Sequence, residues 1–418
     1  MKLRLLPLVC LLCWVALPSA AQDTHSQVLS DIERAGGVHY MYPMDAPAPT
    51  AAPKGYKPFY VSHLGRHGAR FALGSMLYDG QWETWSKAHE LGWLTPEGEA
   101  IYEAWKDLYP EVRRREGNLT RKGQDQHHFI ARELYKNYPE VFDGPTHASA
   151  VSTGVHRVIV SMFSFLSQLD NLDADFTFDA DYGYPYQNYL LPDVIDQPNN
   201  WPDSVSRKFN QFLASRLNLD AMLARWFTQP GLLVSRPYAF VDDLHVVVST
   251  LDNLDTPSAE VFYGIFTPEE RFRLWEVSNY SSYLRLGMSP DVENVRPLSM
   301  QALLQDIIAK ADEDLRSGAV QLRLRFAHDS TLMPLLSLMG VNHWGAVVSN
   351  PSDVADAWRT FDIPMAANLQ LIFFRSKKSP DILVQVLLNG FEATLPLEMA
   401  APGSFYQWSA VKALFSDK

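Results

Sequence analysis

From about Asp170 to Arg316 the chain shows no strand rhythm, yet β-type runs separated by helical patterns lie on both sides of that stretch. This interruption is the strongest constraint on the fold. Strands alternating with helices build a sheet covered by helices, and a long helical stretch within such an alternation has no strand to add to it. The stretch is rich in Trp, Tyr, Pro and Asn, with helical patches over 204–217 and 299–315. It reads as a helical cap inserted into an α/β core, with its aromatic residues forming the cap's own interior. Residues 59–169 and 317–418 are then the core and 170–316 the cap. Residues 22–58 form an N-terminal arm, which Pro43, Pro47, Pro49, Pro53 and Pro58 keep extended and poorly packed. At 418 residues, 47% hydrophobic and 20% charged, the chain can bury a large core, and its composition is that of a globular protein.

Within the core, a short β-type run begins at Phe59-Tyr60-Val61 and ends at Gly65. Thr95-Pro96 opens a helix with a buried stripe at Ile101, Trp105 and Leu108, and Thr120 opens another through Phe129, Ile130 and Leu134. Both starts share the pattern Leu-Thr-x-x-Gly, read as two capped helix starts and not as a repeat. A strand over 147–151 leads through Ser152-Thr153 into a helix over 155–169. Beyond the cap follow a strand over 320–326, a helix over 332–339 stopped at Gly340, and strands over 369–374 and 382–388. Asn389-Gly390 is a hairpin signal joining the last of these to 391–395.

Lys2 and Arg4, an apolar run over 5–17 and then Pro18-Ser19-Ala20-Ala21 have the form of an export signal cleaved near Ala21. The run is too short to span a membrane, and no later stretch is apolar enough. The expected location is periplasmic or extracellular. Both cysteines, Cys10 and Cys13, fall inside the signal, so the mature chain has neither a disulfide framework nor thiolate chemistry. The net charge is −12; losing Lys2 and Arg4 leaves 34 basic residues against 48 acidic ones, or −14. Such a balance disfavours nucleic acid and anionic membranes as partners. An anionic substrate would need a positive field built locally.

His63-Leu64-Gly65-Arg66-His67-Gly68-Ala69-Arg70 can build one. It lies where a strand ends and a helix could begin, a turn that would aim backbone amides and a positive helix end at an anion. If helical spacing continues past His67, Arg66 and Arg70 face the same ligand. Arginine stays charged and forks onto two phosphoryl oxygens, and a neutral imidazole between two arginines can attack phosphorus.

Arg66-His67-Gly68-Ala69-Arg70 resembles the Arg-His-Gly-x-Arg signature of the histidine acid phosphatases, the second branch of the histidine phosphatase superfamily, which includes phytases and multiple inositol polyphosphate phosphatases. Ser152-Thr153-Gly154-Val155-His156-Arg157 is similar to that family's Ser-Thr-x-x-x-Arg segment, and Ala327-His328-Asp329 to its late His-Asp dipeptide. The resemblance covers about residues 55–418. It implies a three-layer α/β/α sandwich of the phosphoglycerate mutase-like kind with a helical cap, and a phosphomonoesterase that needs no metal or other cofactor. By the same resemblance His67 is the nucleophile, Arg66, Arg70, Arg157 and His328 hold the phosphate, and Asp329 protonates the leaving oxygen. The partner is a small phosphomonoester. Rival readings are a dedicated inositol polyphosphatase, a non-catalytic phosphate-binding protein and a phosphoryl-transferring mutase.

The family pattern is broken in places. Phe71-Ala72 follows Arg70 where many relatives have a proline, and Leu73-Gly74-Ser75 offers no lysine for further substrate phosphates. Arg121, Lys122 or the run Arg113-Arg114-Arg115 are the candidates to replace it, although that run reads first as solvent-facing charge at a helix end. His-Asp-Ser stands at 328–330 where multiple inositol polyphosphate phosphatases usually carry His-Ala-Glu. Downstream, 335–340, Asn368-Leu369 and Leu388-Asn389-Gly390 resemble that group. His63 and His156 read as packing or hydrogen-bonding residues. His127-His128 and His89-Glu90 lack metal-ligand spacing.

Overall fold

The computed structural model describes residues 23–195, 201–255 and 259–416; the expected export signal, with Cys10 and Cys13, lies outside the described residues. Those residues form one eight-stranded sheet in the order β3-β2-β4-β1-β5-β6-β7, with β8 also paired to β6. The strands are β1 Tyr56–Arg66, β2 Thr146–Ser152, β3 Phe176–Tyr182, β4 Leu322–Ala327, β5 Asn368–Ser376, β6 Ser379–Leu388, β7 Phe391–Glu392 and β8 Phe405–Gln407. The first four run parallel, and the others add antiparallel to β1's free edge. Parallel strands put their carboxyl ends at one sheet edge, where open α/β folds bind ligands.

Helices cover both faces, as the expected three-layer sandwich requires. On one face α4 (Arg121–Asn137) and α5 (His156–Leu172) bring Ile130, Leu134, Met162, Phe165 and Leu169 onto Val61, Ala148, Leu324, Phe326, Ile372 and Phe374. On the other, helices Gln301–Ser317, Asp329–Met339 and Trp408–Phe415 pack on Tyr60, Leu64, Leu371, Phe373, Val384 and Val386. β4 explains why its arginines are tolerated inside: Arg323 and Arg325 point to this second face and pair with Asp314 and Asp306 of the Gln301–Ser317 helix, each at 2.7 Å. A buried cation needs such a partner.

Several expectations need correcting. The arm is not wholly extended. It begins with α1 (Thr24–Ser30) and a 3-10 helix at Ile32–His39, whose Val28 and Ala35 are buried against Phe272, Trp275, Ala355 and Phe361. Arg271 locks it with two hydrogen bonds to the Glu33 carboxylate, 3.0 and 3.1 Å. The prolines act only over 43–55, and β1 starts at Tyr56.

The expected limits of core and cap also shift. β3 and the Gln301–Ser317 helix, placed within the cap by the sequence reading, belong to the sandwich. Conversely, α2 (Ser75–Glu90) and α3 (Pro96–Val112) sit with the cap helices: Trp85 meets Trp226 and Phe227 at ring-centroid distances of 6.1 and 4.8 Å. Helix Asp203–Arg216 forms where the pattern over 204–217 put it.

The two Leu-Thr-x-x-Gly starts have a common cause. Thr95 and Thr120 each accept a hydrogen bond from the glycine amide three residues on, and those glycines let another backbone cross the helix end. A side chain at Gly98 would strike the Trp226 carbonyl; at Gly123 it would strike Ala69.

Candidate active site

β1 ends at Arg66 with His67 next, β4 runs into His328 and Asp329, and the first turn of α5 after β2 carries Arg157, all at the carboxyl ends of adjacent parallel strands. No helix follows His67, so the helical register imagined for Arg66 and Arg70 does not exist. Residues 67–74 are irregular, and Arg70 makes an isolated bridge to Leu119.

The turn's amides are already bonded within the protein. His67 N–H donates to the Ala327 carbonyl (3.1 Å), Gly68 to Ser161 Oγ (3.1 Å) and Ala69 to Gln126 Oε1 (2.8 Å). They fix the motif instead of facing a ligand. A side chain at Gly68 would overlap the Gly123 backbone, so the tight seat on α4 requires glycine at both positions.

The side chains converge. Arg66 is fully buried; Nη1 donates to the carbonyls of Val38 (2.5 Å) and Ile363 (3.0 Å), and Nη2 to Asp329 Oδ2 (3.2 Å). Buried Arg70 donates from Nη1 to the Phe71 carbonyl at 2.9 Å. His328 places Nε2 3.1 Å from Thr153 Oγ1 and Nδ1 3.5 Å from Arg157 Nη2. The rings of His67 and His328 have centroids 5.7 Å apart.

His67 Nδ1 lies 3.0 Å from the Gly68 carbonyl. A carbonyl only accepts, so Nδ1 carries the proton and Nε2 keeps its lone pair. The four neighbours of His67 named in the sequence reading as phosphate ligands, and Asp329, are thus all brought around one imidazole.

Electrostatics favours an anion here. Burial, then the charges of Arg66, Arg157 and Arg70, holds His67 neutral and well below the usual histidine range. Burial and Arg157 push His328 down to about 3. Burial and Arg66 bring Arg70 down to about 9, so it too stays charged near neutrality. Burial alone would raise the Asp329 carboxyl, but Arg66 and Arg70 outweigh it and hold the group well below its usual range. Three guanidinium ions, one carboxylate and two neutral imidazoles leave a local charge of about +2 inside a chain of −12. A phosphate dianion matches that charge.

Sequence reasoning missed His39, Ser161 and Gln126, and named Thr153 only within its segment, without its contact to His328. His39 enters on the arm, and burial, Arg70 and Arg66 push it down to about 3. Ser161 and Gln126 carry no motif of their own; only their position about one helical turn from Arg157 and Gly123 could have marked them.

Of the arginine run, Arg113 lies over the Tyr109 ring (5.5 Å) and Arg115 over the ring of Phe71, the residue after Arg70 (5.6 Å). Lys122 Nζ donates to the Asp252 carbonyl at 2.9 Å. His63 is a packing residue, between Phe165 and Phe326 with Nδ1 3.3 Å from Gln370 Nε2. Among the described residues no group of three or more His, Cys, Asp or Glu could hold a metal ion, and no helix is long and apolar enough to cross a membrane.

No protein-family model and no curated protein matches this chain. Solved structures do. A multiple inositol polyphosphate phosphatase from Bifidobacterium longum, crystallised with inositol hexasulfate, superposes with a TM-score of 0.72 at 19% identity, over 91% of this chain and 97% of that one. A phytase from D. castellii gives 0.72 at 15% identity, over 96% and 88%. This chain has the histidine acid phosphatase fold. A phytase from Citrobacter braakii shares it more loosely, with a TM-score of 0.56 at 13% identity over 86% and 98%. The sandwich and cap predicted from the sequence are those of the histidine acid phosphatase fold.

Proposed function

We propose that this protein is an exported histidine acid phosphatase that hydrolyses phosphomonoesters, inositol polyphosphates among them, through a phosphohistidine on His67. One observation carries the reading: an imidazole with Nδ1 committed to the Gly68 carbonyl and Nε2 free stands among three arginines and beside a carboxyl group. A phosphate-binding protein needs neither that nucleophile nor that acid.

In the first step the Nε2 lone pair forms a bond to phosphorus while the ester P–O bond breaks, and the leaving oxygen takes the proton of Asp329. Arg66, Arg70 and Arg157 stabilise the equatorial oxygens, work a metal does in other phosphoryl-transfer sites. The Gly68 carbonyl supports the positive charge on the phosphorylated ring. In the second step water attacks phosphorus, Asp329 takes its proton and the P–N bond breaks, which restores neutral His67.

Similarity in fold to an inositol polyphosphate phosphatase and to phytases supports inositol polyphosphates as substrates. Arg115, over the ring of Phe71 next to Arg70, is a cation that could meet a further phosphate. The signal-like residues 1–21 support action outside the cytoplasm.

Phosphate release from inositol hexakisphosphate and from an aryl phosphate, measured at mildly acidic pH without added metal, tests the reading. The protein should hydrolyse both, and His67→Ala should lose activity by at least about 10⁴-fold with its thermal midpoint preserved. Near-normal turnover by that variant would sink the mechanism, and release from neither substrate by the native protein would favour phosphate binding.

A further inference from the structure

We propose that Thr153 is a positioning residue: its hydroxyl donates to His328 Nε2, fixes the ring proton on Nδ1 and so makes His328, beside Arg157, a donor to one phosphoryl oxygen; this rests on the phosphatase reading above. A histidine holds an anion through an N–H, because a bare ring nitrogen presents its lone pair instead. Burial and Arg157 keep His328 neutral, so the ring has one N–H to place. Each ring nitrogen has one neighbour. Nε2 lies 3.1 Å from Thr153 Oγ1, and Nδ1 lies 3.5 Å from Arg157 Nη2. Arg157 can only donate, and 3.5 Å is too long for a strong bond. The hydroxyl can donate or accept, so the choice of tautomer falls to Thr153.

Burial decides which way that bond runs. Thr153 has no exposed surface, and Nε2 is the one hydrogen-bond partner of its hydroxyl among the described residues. A hydroxyl that accepted from Nε2–H would leave its own proton buried without an acceptor. Donating to Nε2 uses that proton and leaves the ring's on Nδ1. Nδ1–H and Arg157 Nη2 are then two donors facing the same space, close enough to share one oxygen at ordinary hydrogen-bond length.

The sheet sets the hydroxyl's position. Ser152 pairs with Phe326 at the end of β2 and β4, one residue before Thr153 and two before His328. The Thr153 amide donates to the Phe326 carbonyl at 3.3 Å, and Ser152 Oγ donates to the Thr153 carbonyl at 3.0 Å. Thr153 and His328 therefore meet through strand register.

Nitrogen NMR of isotope-labelled histidine rings at neutral pH tests the assignment, with the His328 signals identified by their loss in His328→Ala. The native ring should carry its proton on Nδ1, both alone and with inorganic phosphate bound. Thr153→Val keeps the shape of the side chain and removes the hydroxyl. Donation from Arg157 to Nδ1 is then the ring's remaining hydrogen bond, so in the free variant the proton should move to Nε2. An anion must reverse that shift, and phosphate affinity should fall by about 3- to 10-fold, the range of one neutral hydrogen bond. Thr153→Ser should restore both the tautomer and the affinity. A proton on Nε2 in the native protein, or unchanged phosphate affinity in Thr153→Val, would overturn the proposal while leaving phosphatase activity intact. Failure of the native protein to hydrolyse an aryl phosphate would sink the phosphatase reading instead, and the NMR measurement with phosphate would still read the tautomer.

Discussion

As the proposed proton donor, Asp329 has two demands on it that conflict. Arg66 and Arg70 hold its carboxyl well below the usual range, yet a proton donor must arrive protonated. A phosphate dianion resolves this, because its two negative charges share those arginines and relax their hold on the carboxyl. The productive complex then needs one proton between Asp329 and the phosphate, and a monoanionic ester can carry it in. With a second phosphate pKa of about 6, kcat/KM should fall roughly tenfold per unit as pH rises above that value. A profile flat to pH 8 would contradict the proton requirement. Asp329→Asn should slow alkyl esters by about a hundredfold or more and aryl esters far less, because only a poor leaving group needs the proton. Equal losses on the two classes would show that Asp329 is not the donor.

At the scale of elements, Gly123 shows how a helix start fixes catalytic geometry. Gly123→Ala would push against the Ala69 backbone, between His67 and Arg70. It should cut kcat by at least about tenfold while costing roughly 1–3 kcal/mol of stability by overpacking; unchanged kinetics would mean the turn is not held from α4. The proposed catalytic residues were legible because Arg66, His67, Arg70, Arg157, His328 and Asp329 all fall in short motifs at strand ends. What those motifs hid was the backbone after His67, since nothing local distinguishes an irregular turn held by Ser161 and Gln126 from a helix start. The helical stripe of α3 revealed a buried face but not its partner, so Ile101 and Trp105 could equally have covered a sheet. β3 escaped notice because an edge strand buries little: Phe176 is its one fully buried residue. The arm misled most, for its prolines dominate the composition while Val28, Ala35 and His39, which dock it, are scattered.

Across the whole molecule, buried histidines set the response to acid. His63, His127 and His245 sit in the interior with burial pushing each down to about 3 from an unfolded value of 6.5. Their folded values lie below the unfolded one, so the unfolded chain binds more protons between those limits. Stability is therefore fully present above pH 6.5 and is lost as pH falls towards 3, at up to about 1.4 kcal/mol per pH unit for each histidine. The thermal midpoint should drop steadily from pH 7 to pH 4.5. His127→Leu, removing a ring without hydrogen-bond partners beside Phe326, should flatten that drop; an identical slope in the variant would place the acid sensitivity elsewhere.

The proposed catalysis presupposes a covalent bond between phosphorus and His67. The direct measurement is to quench turnover of a labelled phosphomonoester with alkali, in which phosphohistidine survives, and to map the label by peptide mass spectrometry. The account predicts label on the peptide containing His67, at Nε2, and none in His67→Ala. Label on another residue, or steady turnover with no phosphorylated His67 at quench times shorter than one catalytic cycle, would contradict it.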